Sequence, residues 1–314
     1  MPVTIGVDVG GTKIAAGVVD EDGTIIAQRE LATDAAEPNA IVSAINKLTS
    51  ELRAVAPAAT AIGIGAAALV DKARGMILFA PNLAWRDFPL GDLVAARAKM
   101  PVVVDNDANV ATLGEAMYGA GRGGGDQVML TVGTGIGGGI VINSELYRGV
   151  HGIGAELGHI VLDPHGPLCA CGNHGCLEAF ASGTALGRMG RERPSDAIVA
   201  LAGGEEITGA HVGQAASDGD KGALELVREA GWWLGIGLVT LANTFDPERI
   251  VIGGGVAERL GDLLLGPARE TLGDRVVGRE WRPQIPVVPA ALGNSAGLVG
   301  AAVLARSITK TVAI

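Results

Sequence analysis

Two stretches of this chain read alike. VDVGGTKIAAGVV (7–19) and LTVGTGIGGGIVI (130–142) each give an apolar strand, a turn of small residues and a second apolar strand, and Val9-Gly10 falls on Val132-Gly133 at an offset of 123 residues. Glycine at such a tip supplies the backbone freedom that a tight turn needs. Taken as a repeat, the pair predicts two related α/β domains, which 314 residues are long enough to build. Taken as coincidence, it is two unrelated glycine-rich hairpins, because few positions are identical. The glycine-rich stretch from Gly119 to Gly125 lies where a boundary would fall. The expected domains are therefore 1–118 and 119–294.

The segments between the hairpins support the α/β reading. The Asp22-Gly23 turn leads into a third strand, TIIAQREL, and Pro38 opens a helix with Ile41, Val42, Ile45, Leu48 and Leu52 on one face. AIGIGAAALV and PVVVDND read as buried strands of a mostly parallel sheet. Two later helices are expected, Lys221 to Asn243 and Ser295 to Arg306, the latter capped by Asn294 or Ser295. Three glycines inside the first of these, Gly231, Gly235 and Gly237, read as packing features. Trp232-Trp233 is core or interface.

Composition removes other classes. Glycine makes 49 of the 314 residues, yet no Gly-X-Y period occurs, and 48% hydrophobic residues are too many for a disordered chain. Aromatic residues are only 3%, so the core is aliphatic. The chain carries 34 acidic and 24 basic residues with no Lys/Arg cluster, which disfavours a nucleic-acid partner. It has no basic leader with a long apolar run and no uninterrupted apolar stretch of about 20 residues, so no membrane segment and a cytoplasmic location are expected.

Several motifs carry chemistry. In DVGGTK, Gly10 and Gly11 let the backbone approach an anion, Thr12 and Lys13 can bond to its oxygens, and Asp8 can hold a metal ion or its water shell. An ordinary tight hairpin is the alternative. GTGIGG (133–138) matches the dinucleotide pattern G-x-G-x-x-G but runs on into strand rather than helix, so a phosphate-touching hairpin loop with Thr134 fits better. IVIGGGVA (250–257) either seats a nucleoside or is a close packing turn. DNDAN ends a strand and opens a helix: Asp107 is a candidate general base and Asn106 a candidate hydroxyl binder, unless the segment is only an N-cap with surplus acids.

The three cysteines, Cys169, Cys171 and Cys176, are an odd number spaced C-x-C-x4-C, too tight for a disulfide framework. With His159 they would complete a closed tetrahedral zinc site, structural rather than hydrolytic, free buried thiols being the alternative. Such a clip would orient Glu156 and Glu178, whose carboxylates can accept hydrogen bonds from vicinal sugar hydroxyls.

DVGGTK, DNDANVATLGE, LTVGTGIGGGI, HGIGAELGH, CACGNHGCLE and IVIGGGVA together resemble the ROK family of sugar kinases and repressors, specifically its bacterial glucokinases, over about residues 4–304. The resemblance implies two duplicated actin- and hexokinase-like (ribonuclease-H-like) α/β domains with a cleft between them. It also implies that a C-terminal helix over 295–314 returns to the first domain. It implies ATP-dependent phosphorylation of glucose, with Mg2+ as catalytic ion, structural Zn2+, and a homodimer or homotetramer; the family's repressors carry an N-terminal helix-turn-helix domain, whereas here the phosphate loop begins within ten residues of the start, so a DNA-binding role is not expected. Asp107 matches the catalytic base, and Asn106, Glu156, His159 and Glu178 match sugar ligands. Asp8, Gly10, Gly11, Thr12, Lys13, Gly133, Thr134 and Gly135 match the phosphate loops, and Gly254 and Gly255 the adenosine side. His159, Cys169, Cys171 and Cys176 match the zinc ligands. Ala67-Ala68 stands where the family often has Pro-Gly, in a loop whose backbone commonly lies near the sugar, so the choice among hexoses is open and kinases of fructose, mannose or N-acetylmannosamine are alternatives. A polyphosphate-using enzyme is another, and a non-catalytic sugar sensor a further one, against which Asp107 and both phosphate loops stand.

Overall fold

The computed structural model describes residues 3–309. By contacts the chain forms two compact units. The first takes the chain up to Gly123, Gly139–Ala155 and the chain from Asn294 on; the second takes Gly124–Gly138 and Glu156–Gly293. The fold is the α/β class expected, with mixed sheets.

The first unit is built on β1 (Thr4–Val9), β2 (Lys13–Val19), β3 (Ile25–Ala32), α1 (Pro38–Val55), β4 (Ile62–Ala66), a small antiparallel sheet of β5 (Leu69–Asp71), β6 (Met76–Phe79) and β7 (Arg86–Phe88), α2 (Leu90–Ala98), β8 (Val102–Asn106) and α3 (Asp107–Tyr118). Its main sheet runs β3-β2-β1-β4-β8; β1, β4 and β8 are parallel, and β1-β2-β3 an antiparallel meander. The run read as one strand over 61–70 breaks after Ala66, and Leu69–Asp71 turns into the small sheet.

Period-two alternation in β1 decides what each face meets. Ile5, Val7 and Val9 enter the core that α1 closes with Ile41, Val42, Ile45, Leu48 and Leu52. Gly6 and Asp8 meet the last helix instead, α11 (Ala296–Thr309). A Cβ on Gly6 would lie 2.0 Å from the Leu298 carbonyl oxygen, and one on Gly63 in β4 1.8 Å from that of Ala301. These strand glycines let α11 lie directly on the sheet. A 3-10 turn, Gly293–Ser295, takes up the expected start of this helix, and of the predicted span 295–314, residues 310–314 lie outside the described residues.

The later part of the chain adds β9 (Gln127–Val132), β10 (Ile136–Ile142), β11 (Glu145–Leu146), α4 (Leu177–Ala181), α5 (Gly183–Glu192), α6 (Asp196–Ala202), α7 (Gly209–Ser217), α8 (Lys221–Phe245), β12 (Arg249–Gly253), α9 (Gly255–Leu260), α10 (Asp262–Arg275) and β13 (Val287–Pro289). The second sheet orders β11-β10-β9-β12-β13, with β9, β12 and β13 parallel. Asp220 caps α8 by accepting the Ala223 amide at 2.8 Å, and the helix runs to Phe245, two residues past the expected Asn243. Its glycines are contact points: Cβ atoms on Gly231 and Gly235 would lie 2.5 Å from the Leu264 carbonyl oxygen and the Thr271 Cβ of α10, and one on Gly237 would lie 2.8 Å from Leu177. Much of the glycine excess is thus close packing between elements, and only part of it lies in the hairpin turns. Trp233 stacks on Phe180 with ring centroids 3.9 Å apart, and Trp232 meets Trp233 edge-on. No helix among the described residues is long and apolar enough to cross a membrane.

Candidate active site

The first hairpin turn lies between β1 and β2. The Gly10 amide donates to the Lys13 carbonyl at 3.0 Å, and Thr33 holds the turn from β3's end, its hydroxyl donating to the Gly10 carbonyl and its amide to that of Thr12. The amides of Gly11 and Thr12 have no protein acceptor among the described residues. Neither Gly10 nor Gly11 has a neighbour closer than 3.4 Å to an added Cβ, and neither has a left-handed backbone. Nothing in the protein's own packing therefore demands glycine there. Lys13 is exposed and pairs with Glu30 at 3.4 Å.

Asn106 and Asp107 stand at the junction of β8 and α3. Asn106 is the N-cap: its Oδ1 accepts the Asn109 amide at 3.0 Å and its Nδ2 donates to the Ala68 carbonyl at 3.3 Å. One Asp107 carboxyl oxygen accepts the Ala108 amide at 2.9 Å, and burial pushes its carboxyl above the usual carboxylate range. Asp8, on neighbouring β1, is pushed up to about 6, first by burial and then by the Asp107 charge, with Lys13 pulling the other way. Asp8 also packs on the first turn of α11, where an added Cβ on Gly297 would lie 2.9 Å from its carboxylate.

One side chain that sequence reasoning missed anchors this junction. Asp105, almost fully buried, accepts from the Asn106 amide at 2.9 Å and Asn109 Nδ2 at 3.1 Å, and its other oxygen meets Arg148 Nε at 2.7 Å. Arg148 comes from the segment after β11 and bears no motif; only the tertiary pairing reveals it. Ala155, further along this segment and directly before Glu156, holds φ at +67°, a strained value for a residue with a Cβ. Glu156 itself is exposed.

In the second unit the turn between β9 and β10 repeats the first. Gly133, Thr134 and Gly135 stand where Gly10, Gly11 and Thr12 stand, and the amides of Thr134 and Gly135 have no protein acceptor among the described residues. The turn is held from the start of α5: the Gly183 amide donates to the Gly133 carbonyl at 2.8 Å, and the Thr184 hydroxyl to that of Thr134 at 2.8 Å. Glu178, in the first turn of α4, accepts the Ile136 amide at 2.8 Å.

His159, Cys169, Cys171 and Cys176 come together, their ligand atoms all within 4.8 Å of one another. His159 Nδ1 is 3.6 Å from Cys169 Sγ, and Cys171 Sγ 3.6 Å from Cys176 Sγ. A tetrahedral zinc ion with Zn–S bonds of about 2.3 Å sets its sulfurs roughly 3.7 Å apart, so the donor set and its spacing fit that ion. Burial pushes the Cys169 and Cys176 thiols up, so they need a cation beside them to ionise. Cys169 also lies 3.5 Å from Glu178 Oε1, which links this cluster to the β9–β10 turn.

Gly254 has φ +91°, and an added Cβ would lie 2.5 Å from the Val132 carbonyl oxygen, so the packing-turn reading accounts for it. Gly255 has open space and begins α9. Gly254 lines a cavity of about 250 Å³ that also includes Glu258, Asp262 and Arg269.

Residues 4–308 match the ROK family. A glucokinase of Streptomyces coelicolor is 48% identical to this chain, with 98% of each covered. The crystal structure of a ROK family glucokinase from Streptomyces griseus in complex with glucose and AMPPNP superposes with a TM-score of 0.86 at 46% identity, over 97% of this chain and 99% of that one. The ROK hexokinase from Thermus thermophilus gives 0.82 at 37% identity, over 98% and 99%.

Proposed function

The chain belongs to the ROK family, and from that premise we propose that it transfers the γ-phosphoryl group of ATP to the 6-hydroxyl of glucose, an ATP-dependent glucokinase. The observation that carries the phosphate side of this reading is the pair of matched hairpin turns, each with two amides lacking a protein acceptor. Oriented free N–H groups bind phosphate oxygens without adding net charge, which suits a chain of formal charge −10.

We assign the roles as follows. Asp107 accepts the proton of the 6-hydroxyl as that oxygen bonds to the γ-phosphorus and the bond to the β,γ-bridging oxygen breaks, leaving ADP. A dehydrated carboxylate is a stronger base than a solvated one, which is the use of Asp107's burial. Asn106, Glu156, His159 and Glu178 hold the other sugar hydroxyls, His159 through Nε2 because Nδ1 faces the cysteines. Gly10, Gly11, Thr12, Lys13, Gly133, Thr134 and Gly135 hold phosphates, and Gly254 and Gly255 border the nucleoside.

Asp8 fits the one-carboxylate binding that Mg2+ commonly accepts beside substrate phosphates. When bound, that ion would neutralise charge on the transferring group. We further assign a zinc ion to the Cys3His cluster, a homodimer or homotetramer, and a cytoplasmic location.

ADP release from ATP should follow glucose addition and be slower with fructose, mannose or N-acetylmannosamine. A faster rate with another hexose, or turnover with polyphosphate but not ATP, overturns the assignment. So does glucose binding without ADP release.

Two further outcomes test Asp8. Gly297→Ala is expected to keep the fold, because the Asp8 carboxyl group and no backbone atom must move, while raising the Mg2+ concentration for half-maximal activity several-fold; unchanged Mg2+ dependence refutes the positioning. Asp8→Asn should abolish most turnover yet stabilise the metal-free protein at pH 8. The raised carboxyl favours folding fully only below its unfolded pKa of 3.8, and that contribution is lost as pH rises through about 6. Thermal melts at pH 8 and pH 4 should show the gain shrinking at the lower pH.

A further inference from the structure

The second unit holds a larger cavity whose residues take no part in the chemistry above. It measures about 590 Å³ and is walled by α10 and the 279–287 segment. That volume is ordinary for a small-molecule site. Its lining contains three arginines, Arg269, Arg279 and Arg282, and no acid, in a chain where acids outnumber bases by 34 to 24. Leu272, Val276, Ile285 and Val287 add an apolar wall.

The arginines are not equivalent. Arg269 donates through Nε to the Val287 carbonyl at 3.0 Å and through Nη1 to Asp262 at 2.6 Å. Arg282 is tied to Asp246 and to the Val277 and Ala242 carbonyls. Arg279 is exposed and makes no ion pair or side-chain hydrogen bond among the described residues. A guanidinium fork without a partner beside two fixed ones favours a phosphate dianion, and the apolar wall favours a carbon skeleton attached to it.

Arg269 and its partner Asp262 also line the smaller cavity at Gly254. β13 joins the two, with Val287 in the wall of the larger and Pro289 in that of the smaller. An anion that engages Arg269 draws it from Asp262 and leaves that carboxylate unpaired on the nucleoside side.

We propose that this cavity binds the phosphate ester of a small organic molecule, and that occupancy weakens nucleotide binding through the Arg269–Asp262 pair. The coupling rests on the reading of Gly254 and Gly255 as nucleoside-side residues; the binding does not. By linkage the effect is reciprocal, nucleotide weakening the anion by the same factor.

Calorimetric titration with phenyl phosphate, inorganic phosphate and phenol tests the site on the full chain. Phenyl phosphate should bind tightest, and Arg279→Glu should weaken it by about tenfold while leaving glucose phosphorylation without the anion unchanged. Saturating phenyl phosphate should raise the Kd for AMPPNP two- to fivefold in the unchanged protein, and not in Arg279→Glu. Phenyl phosphate binding that ignores Arg279→Glu, or equal binding of phenol, overturns the site. Binding sensitive to Arg279 with no shift in AMPPNP affinity overturns the coupling. Because these readouts need no turnover, failure of the glucokinase assignment leaves the binding arm standing or falling by itself.

Discussion

Asp107→Asn is expected to fold, to bind glucose, and to lose turnover by about three orders of magnitude, within the range that removal of a general base produces. The amide keeps the size of the side chain and can still accept the Ala108 amide, so the start of α3 stays capped by Asn106. What it loses is a site for the hydroxyl proton. It also removes the charge that raises Asp8, so the Asp8 carboxyl should titrate lower in the variant. Stopped-flow turnover with a fluorescence titration for glucose separates lost turnover from retained glucose binding. Turnover within tenfold of the unchanged protein removes Asp107 from the base role.

Cys176→Ser is expected to release about one zinc per chain, lower Tm by about 10 °C, and raise the KM for both substrates. Cys176 is fully buried and immediately precedes α4, whose Glu178 accepts the Ile136 amide beside the β9–β10 turn. Loosening the cluster therefore frees Glu178, to which we assign a sugar hydroxyl, and the β9–β10 turn, to which we assign phosphate, together. Losing a few kcal/mol of metal binding lowers Tm by this order in a unit of this size. Conservative change at Cys171, the exposed member, should release zinc as well, because a closed tetrahedral site does not tolerate three ligands. Zinc-free protein with unchanged Tm and KM values would refute the clip. The two variants also discriminate between themselves: Asp107→Asn spares Tm and KM, whereas Cys176→Ser alters both.

Much of this is legible in the order of the residues. The hydrophobic faces of β1 and α1, the hairpins at Gly10 and Gly133, the start of α3 at Asp107 and the cysteine spacing are local patterns, and local patterns are written in the order of residues. Composition was less transparent. Gly6 of β1, Gly63 of β4, and Gly231 and Gly235 of α8 look no different in sequence from the glycines in the turns, yet the first two touch α11 and the last two α10, elements later in the chain. A close approach between distant backbones leaves no periodicity to read.

The sequence by itself therefore determined the α/β class, the two similar hairpin turns and the Cys3His spacing, because period, spacing and side-chain chemistry are properties of short segments. Only the tertiary structure decided that Arg148 buttresses Asp105, that Gly297 seats Asp8, that Glu178 reaches the Ile136 amide, and that Arg269 stands between two cavities. Each of those pairs joins residues dozens of positions apart or more, except the Arg269–Asp262 pair, whose meaning depends on β13 beside it. Which charges share a buried volume is settled by how strands and helices close on one another, and burial then sets how strongly those charges act.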